Sequence, residues 1–328
     1  MKTLVLSMIS IAATLAAMTA CTSEGDPIDE GTKDTPVEIK MSAGVLNIVT
    51  KSDGPINGLT SAITDVAFLS QESSAGQEGT IVWTGITPIT HQASIATTGA
   101  ITFTDATKPY YSSDVKKHTY LVGYHPNSGS FSSIDGSVTF NITGKQDIMY
   151  ASVVHGNKET NKAANADDKL LQPKFKHLLA QLKIQVEGNT AAAEAWGEIK
   201  SIKVKDARTE LKLDAKAGTL SEGTANVQNI QLIDNTAIAI PTTAESAGYS
   251  MVLPRTAQYF LVIETDKVAS REVAINIPED STEPARAANE TRAGEAYTIT
   301  LTFSASEISA TATVDPWTNV SGGTGTVD

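Results

Sequence analysis

From residue 37 onward the chain repeatedly alternates apolar and polar side chains. Val37, Ile39 and Met41 alternate with Glu38, Lys40 and Ser42. Val138, Phe140 and Ile142 alternate with Thr139 and Asn141, and Leu182, Ile184 and Val186 with Lys183 and Gln185. Ile202 and Val204, then Leu211 and Leu213, repeat the pattern. Near the end Tyr297, Ile299, Leu301 and Phe303 alternate with threonines, and Ile308, Ala310, Ala312 and Val314 follow. In a strand this spacing puts one set on a core face and the other in water.

Turn signals separate the runs: Ser52-Asp53-Gly54-Pro55, Asn127-Ser128-Gly129, Asp135-Gly136 and Ala217-Gly218. Only residues 190–198 read as helical, for barely two turns. The apolar run Tyr259–Ile263 predicts a central strand. Many short strands at this spacing predict an all-β protein of antiparallel β-sandwiches. The polar stretch 157–173 places a domain boundary there, giving an N-terminal sandwich over 37–168 and a C-terminal one over 169–328.

The amino end sets the compartment. Lys2 precedes an apolar run, Leu4 to Met18, which closes on Met18-Thr19-Ala20-Cys21. That run is too short for a membrane span and reads as a signal peptide. The small residues before Cys21 form a lipobox, so residues 1–21 are expected to be signal and lipobox, with lipidation at Cys21. Residues 22–36 are polar, acidic and rich in Gly and Pro, and read as a flexible tether. The chain is therefore expected to be an exported lipoprotein held at a membrane through that anchor. Cys21 is the only cysteine, so no disulfide forms within the chain and its cores must hold the fold. The formal net charge of -12 argues against nucleic acid as a partner.

Candidate chemistry is sparse. His91, His118, His125, His155 and His177 stand outside metal-ligand spacing of the cysteine, and there is no HExxH. No GxSxG, P-loop or dinucleotide fingerprint occurs. Asp167-Asp168 is a carboxylate pair in a polar linker. Trp83, Trp196 and Trp317 are candidate sugar platforms, although single tryptophans in sandwiches are usually core. Asn141-Ile142-Thr143 and Asn289-Glu290-Thr291 match the glycosylation pattern without meaning in a lipobox-bearing protein. No catalytic, cofactor or metal site is expected, and the protein is not expected to be an enzyme.

Several stretches together resemble the fimbrillin-like family, the pilins of type V pili. They are residues 37–51 (VEIKMSAGVLNIVTK), Asp147 to Ala151 (DIMYA), Phe175 to Leu182 (FKHLLAQL), and the ending, Gly294 to Phe303 followed by Ile308 to Trp317. The resemblance covers essentially the whole chain after the tether. It implies two transthyretin-like β-sandwich domains and export as a lipoprotein to the outer membrane, surface-exposed, or to the fimbrium if processed. It also implies proteolytic removal of the first strand, whose groove then takes a strand from a neighbouring subunit. The removable strand would be residues 37–50, with Val37, Ile39 and Met41 inward and Val45 or Leu46 continuing after a break at Ala43-Gly44. Residues 305–328 would supply a donor, unless 308–314 is a permanent strand of the second domain. The family usually carries Arg at the cleavage position; here the matching residue is Lys51, and the first Arg in the chain is Arg208. The resemblance therefore implies a fimbrial subunit or minor component acting in adhesion, with other subunits, the outer membrane and surface glycans or proteins as partners. The alternative is a non-polymerising surface lipoprotein that binds glycans.

Overall fold

The computed structural model describes residues 36–43, 62–74, 81–159, 170–224, 226–232, 237–281 and 285–316. Cys21, the tether up to Thr35, Val45, Leu46, Lys51, Asp167, Asp168, Trp317 and the tail after it lie outside these residues. The described residues fall within one unit that begins at Pro36.

The first half runs through β1 (Met41–Ser42), β2 (Ile63–Glu72), β3 (Ile89–Ile95), β4 (Ala100–Phe103) and β5 (Thr119–His125). It continues with β6 (Ser130–Ser132), β7 (Ser137–Asn141), β8 (Met149–Gly156) and β9 (Phe175–His177). The second half has β10 (Ala180–Glu187), α1 (Thr190–Trp196), β11 (Ile199–Arg208), β12 (Glu210–Asp214), β13 (Leu220–Glu222) and β14 (Val227–Gln231). It closes with β15 (Glu245–Val252), β16 (Phe260–Thr265), β17 (Arg271–Ala274), β18 (Glu295–Phe303) and β19 (Ile308–Pro316). Among the described residues the fold is all-β apart from α1 and a short 3-10 turn at Asp105–Thr107. Strand pairing among the described residues is antiparallel except for β10 against β18, which run parallel, as does the isolated bridge Met41↔Leu171.

A first sheet of seven strands has the order β1-β4-β3-β2-β5-β8-β9. Its central strands are buried on both faces. Val66 and Phe68 of β2 point into one core, and Ala67 and Leu69 into another. Such strands lose the apolar-polar alternation, because neither face meets water. The outer core packs Leu69, Val122, Tyr124 and Tyr150 against Val138, Phe140, Leu211 and Leu213. Those last four sit on a second sheet, β13-β12-β7-β6. Residues 210–214 thus pair with residues 137–141, from the other side of the polar stretch 157–173, and join the hairpins β12–β13 and β6–β7 into one sheet.

The inner core draws on every strand of the first sheet. Met41, Ile101, Ile95, Phe68, Leu121, Met149 and Phe175 all line it. Phe68 lies edge-on to Phe103 at 5.6 Å and to Phe175 at 5.9 Å, touching rings on β4 and β9 at once. A Cβ at Gly123 would sit 2.7 Å from the Phe68 ring and 2.9 Å from Phe175, so only glycine lets these rings meet. The sheet curls until Met41 on its first strand bridges Leu171, just upstream of its last strand.

The third and fourth sheets, β15-β10-β18-β19 and β14-β11-β16-β17, form a sandwich of their own. Leu182, Ile184, Ile299 and Leu301 face Ile202, Val204, Leu261 and Ile263. The run Tyr259–Ile263 enters the interior strand β16, as expected, but only alternate residues are fully buried. Helix α1 packs Ala192 and Trp196 on this core. Its N-cap Asn189 accepts from the Ala192 N–H at 2.9 Å, and Gly197 (φ 72) ends it.

Candidate functional site

The candidate site is the first described segment, residues 36–43, and the groove that holds it. Ile39 and Met41 are 0% and 4% exposed, Ala43 is buried, and Val37 is partly buried against the inner core. Lys40 is exposed. The inward set expected from the alternation is thus the set that faces the core, as far as the described residues reach.

Backbone hydrogen bonds hold both edges of the segment. Its odd-numbered residues bond to one side: Ile39 N–H donates to Pro109 O at 2.9 Å, Tyr111 N–H to Val37 O at 2.9 Å, and Ala43 N–H to Gly99 O at 2.8 Å. Its even-numbered residues bond to the other: Ser42 N–H donates to Leu171 O at 3.0 Å, and Leu171 N–H to Lys40 O at 3.3 Å. Regular ladder pairing is confined to Met41↔Ile101 and Ser42↔Ala100. The segment is therefore a stave between two parts of the same curled sheet. Burial of Ile39 and Met41 stabilises it by about 3–6 kcal/mol.

A cleft of about 310 Å³ runs along the segment, lined by Ile39, Met41, Ile101, Phe103 and Leu170. Asp105 and Lys108 at its rim pair at 2.9 Å. That hydrogen bond holds the Asp105 carboxyl below, and the Lys108 ammonium above, its ordinary value. The loop bearing Pro109 and Tyr111 is tied back by His91. Its Nδ1–H donates to Thr107 O at 2.6 Å, and its Nε2 accepts from the Ser70 hydroxyl at 2.6 Å. This arrangement uses the neutral imidazole, and burial lowers the His91 pKa accordingly.

Two of the stretches that carry the family resemblance meet in space. Asp147, just before β8, pairs through Oδ2 with His177 Nδ1 of β9 at 2.9 Å, and the Asp147 carboxylate is fully buried. The Asp147 carbonyl accepts from His125 Nδ1–H at 2.8 Å. Burial lowers the His125 pKa, so this ring too is held neutral. The cluster pins β8 to β9 where the chain leaves the first sheet for β10.

The tryptophans offer no sugar platform among the described residues. Trp83 is 2% and Trp196 6% exposed, and Trp196 Nε1–H donates to Ser304 O at 2.7 Å. Asn289 uses its side-chain oxygen to accept the Ile277 N–H at 3.1 Å, which makes it a structural cap. Among the described residues no helix is long and apolar enough to cross a membrane.

A curled sheet, a second sheet packed on it and a sandwich beyond define a multi-sheet β protein whose inner core is closed by its own first strand. The chain matches the fimbrillin-like family model over residues 58–317, and it belongs to that family. A comparison with curated proteins returns no match. Among solved structures, a putative cell adhesion protein from Bacteroides uniformis superposes with a TM-score of 0.55 at 17% identity, covering 86% of this chain and 99% of that one. Another, from Bacteroides ovatus, gives 0.53 at 14% identity, covering 87% and 99%. At these identities the likeness is one of fold.

Proposed function

We propose that this chain is a fimbrial subunit or minor fimbrial component, exported as a lipoprotein through Cys21, that assembles at the outer membrane by strand exchange and acts in adhesion. Family membership supports the fimbrial part of this reading. The observation that carries the exchange is the stave geometry. Residues 36–43 close a core to which the other strands of the sheet also contribute, and their hydrogen-bonding partners lie on separate segments at 99–101, 109–111 and 171. Cleavage at Lys51 would free the whole segment while leaving its groove lined by Ile101, Phe103 and Leu171.

Covalent attachment explains why release must come first. A tethered strand competes at an effective concentration of order mM, which a strand on another molecule cannot match. After release, an extended strand with alternating apolar residues regains the edge hydrogen bonds and the pockets. The proposed organisation keeps sandwiches over 37–168 and 169–328, with residues 210–222 crossing over to complete the first. Partners are further subunits, the outer membrane, and surface glycans or proteins. A structural role of this kind needs no catalytic residue or cofactor.

The test is to recover the protein from its native surface, determine its N-terminal sequence, and run unboiled samples on gels. A start at Ser52 with a ladder of polymers, both abolished by Lys51→Gln, is the expected result. A blocked Cys21 with no ladder would replace this reading with a retained, non-polymerising lipoprotein.

A further inference from the structure

The geometry points to a surface site for a divalent late transition metal, Cu(II) above all, at His118 and His155. The two histidines are 37 positions apart in sequence and meet because β5 and β8 pair antiparallel, with Tyr120 opposite His155. Their Nδ1 atoms lie 3.1 Å apart. His155 is exposed and His118 half-buried, so an ion reaches the gap from solvent.

Both rings are held in place before any metal arrives. His155 stacks on Tyr120 at 4.7 Å with 22° between the planes. The His118 backbone is fixed by its N–H donating to Ser73 Oγ at 3.0 Å and its carbonyl accepting the Ser73 N–H at 2.8 Å. Asn157 lies beside it, with Nδ2 3.2 Å from His118 Nε2, while Asn157 Oδ1 accepts the Glu159 N–H at 3.0 Å. In this state Asn157 donates to His118 Nε2, His118 Nδ1–H donates to His155 Nδ1, and no metal is needed.

Metal binding requires a tautomer shift and an amide turn. The His118 proton moves to Nε2, and the Asn157 amide turns so that Oδ1 accepts it, the usual support for a ligating imidazole, at the cost of the Glu159 N–H bond to Oδ1. Both Nδ1 lone pairs then face the gap. With metal–nitrogen bonds of about 2.0–2.1 Å, a 3.1 Å separation subtends roughly 95–102° at the ion. That angle lies between the tetragonal and tetrahedral values, and copper is favoured by the divalent affinity order, which peaks at Cu(II). Among the described residues no group of three or more His, Cys, Asp and Glu side chains could hold an ion, so water completes the coordination. The other three histidines are engaged: His91 with Ser70 and Thr107, His125 with the Asp147 carbonyl, His177 with the Asp147 carboxylate.

The experiment is a Cu(II) titration of the untagged chain, followed by calorimetry and electron paramagnetic resonance, with Cys21→Ser throughout to remove the thiol. The expected result is one ion per chain with splitting from two imidazole nitrogens. His118→Ala and His155→Ala should each weaken binding by more than the roughly 10–100-fold that loss of a supporting hydrogen bond alone costs. Copper should also raise the melting temperature, because ligation ties β5 to β8. Stoichiometric binding that survives in the double variant, or absence of such binding in the starting protein, would overturn the assignment. If His118→Ala does not fold, the exposed His155→Ala decides alone.

Discussion

The first and last described strands of this chain are built in opposite ways. Residues 36–43 have their partners at 99–101, 109–111 and 171, and no single neighbour runs along their whole length. Strand β19 zips along β18 in unbroken register, from Phe303↔Ile308 to Glu295↔Pro316, after a short turn. The first segment puts Ile39, fully buried, into the inner core, whereas β19 offers Ile308 and Ala310 at 8% exposure and threonines outward. Large side chains make the first segment worth burying, and distant partners make it separable. The last strand is one arm of a local hairpin, with alanines at the centre of its inward face.

Four substitutions probe that contrast. Ile39→Ala should destabilise by about 2–5 kcal/mol, since the void lies in a core lined by every strand of the sheet; urea unfolding with an unchanged slope would measure it. A loss under 1 kcal/mol would mean the segment is not a working part of the core.

Next in size is His91→Ala, expected at about 1–3 kcal/mol because Thr107 O and Ser70 lose their partner. This variant also carries a pH signature. The folded His91 pKa lies below its ordinary value of 6.5, so on acidification the unfolded chain takes up a proton the folded chain resists. Stability should therefore fall as pH drops through about 6.5 and recover above it, and the variant should show a flatter slope there. An unchanged slope would mean the neutral imidazole does not brace the loop.

Asn189→Ala removes the α1 cap and should cost about 1 kcal/mol. Amide protection should drop on α1 and spare residues 36–43, since the helix packs on the other core; a drop in both places would show that the two cores open together. The smallest effect is expected at Thr311→Ala, within about 0.5 kcal/mol, because the side chain is exposed on β19. A larger loss there would place β19 under a neighbour.

Much of this architecture was legible in the sequence where one strand face meets water. Alternation marked β7, β10, β11, β12, β18 and β19, and Asp135-Gly136 marked a turn where Gly136 has φ 68. Strands β2 and β5 were not legible, because burial on both faces erases the alternation. The pairing of 210–214 with 137–141, and the parallel run of β10 beside β18, depend on long-range partners that no local signal announces. At the site, the inward set Val37, Ile39 and Met41 was readable, whereas the partners at Pro109, Tyr111 and Leu171 were not. The His118–His155 contact is likewise a product of strand register rather than of spacing.

Hydrogen exchange of the intact chain under native conditions tests the separable stave most directly. The amides of Ile39, Ala43, Tyr111 and Leu171 are expected to exchange together through one opening, at a free energy below that of global unfolding, while β18 and β19 exchange only with the whole. Protection of residues 36–43 equal to that of β18 and β19 would contradict it.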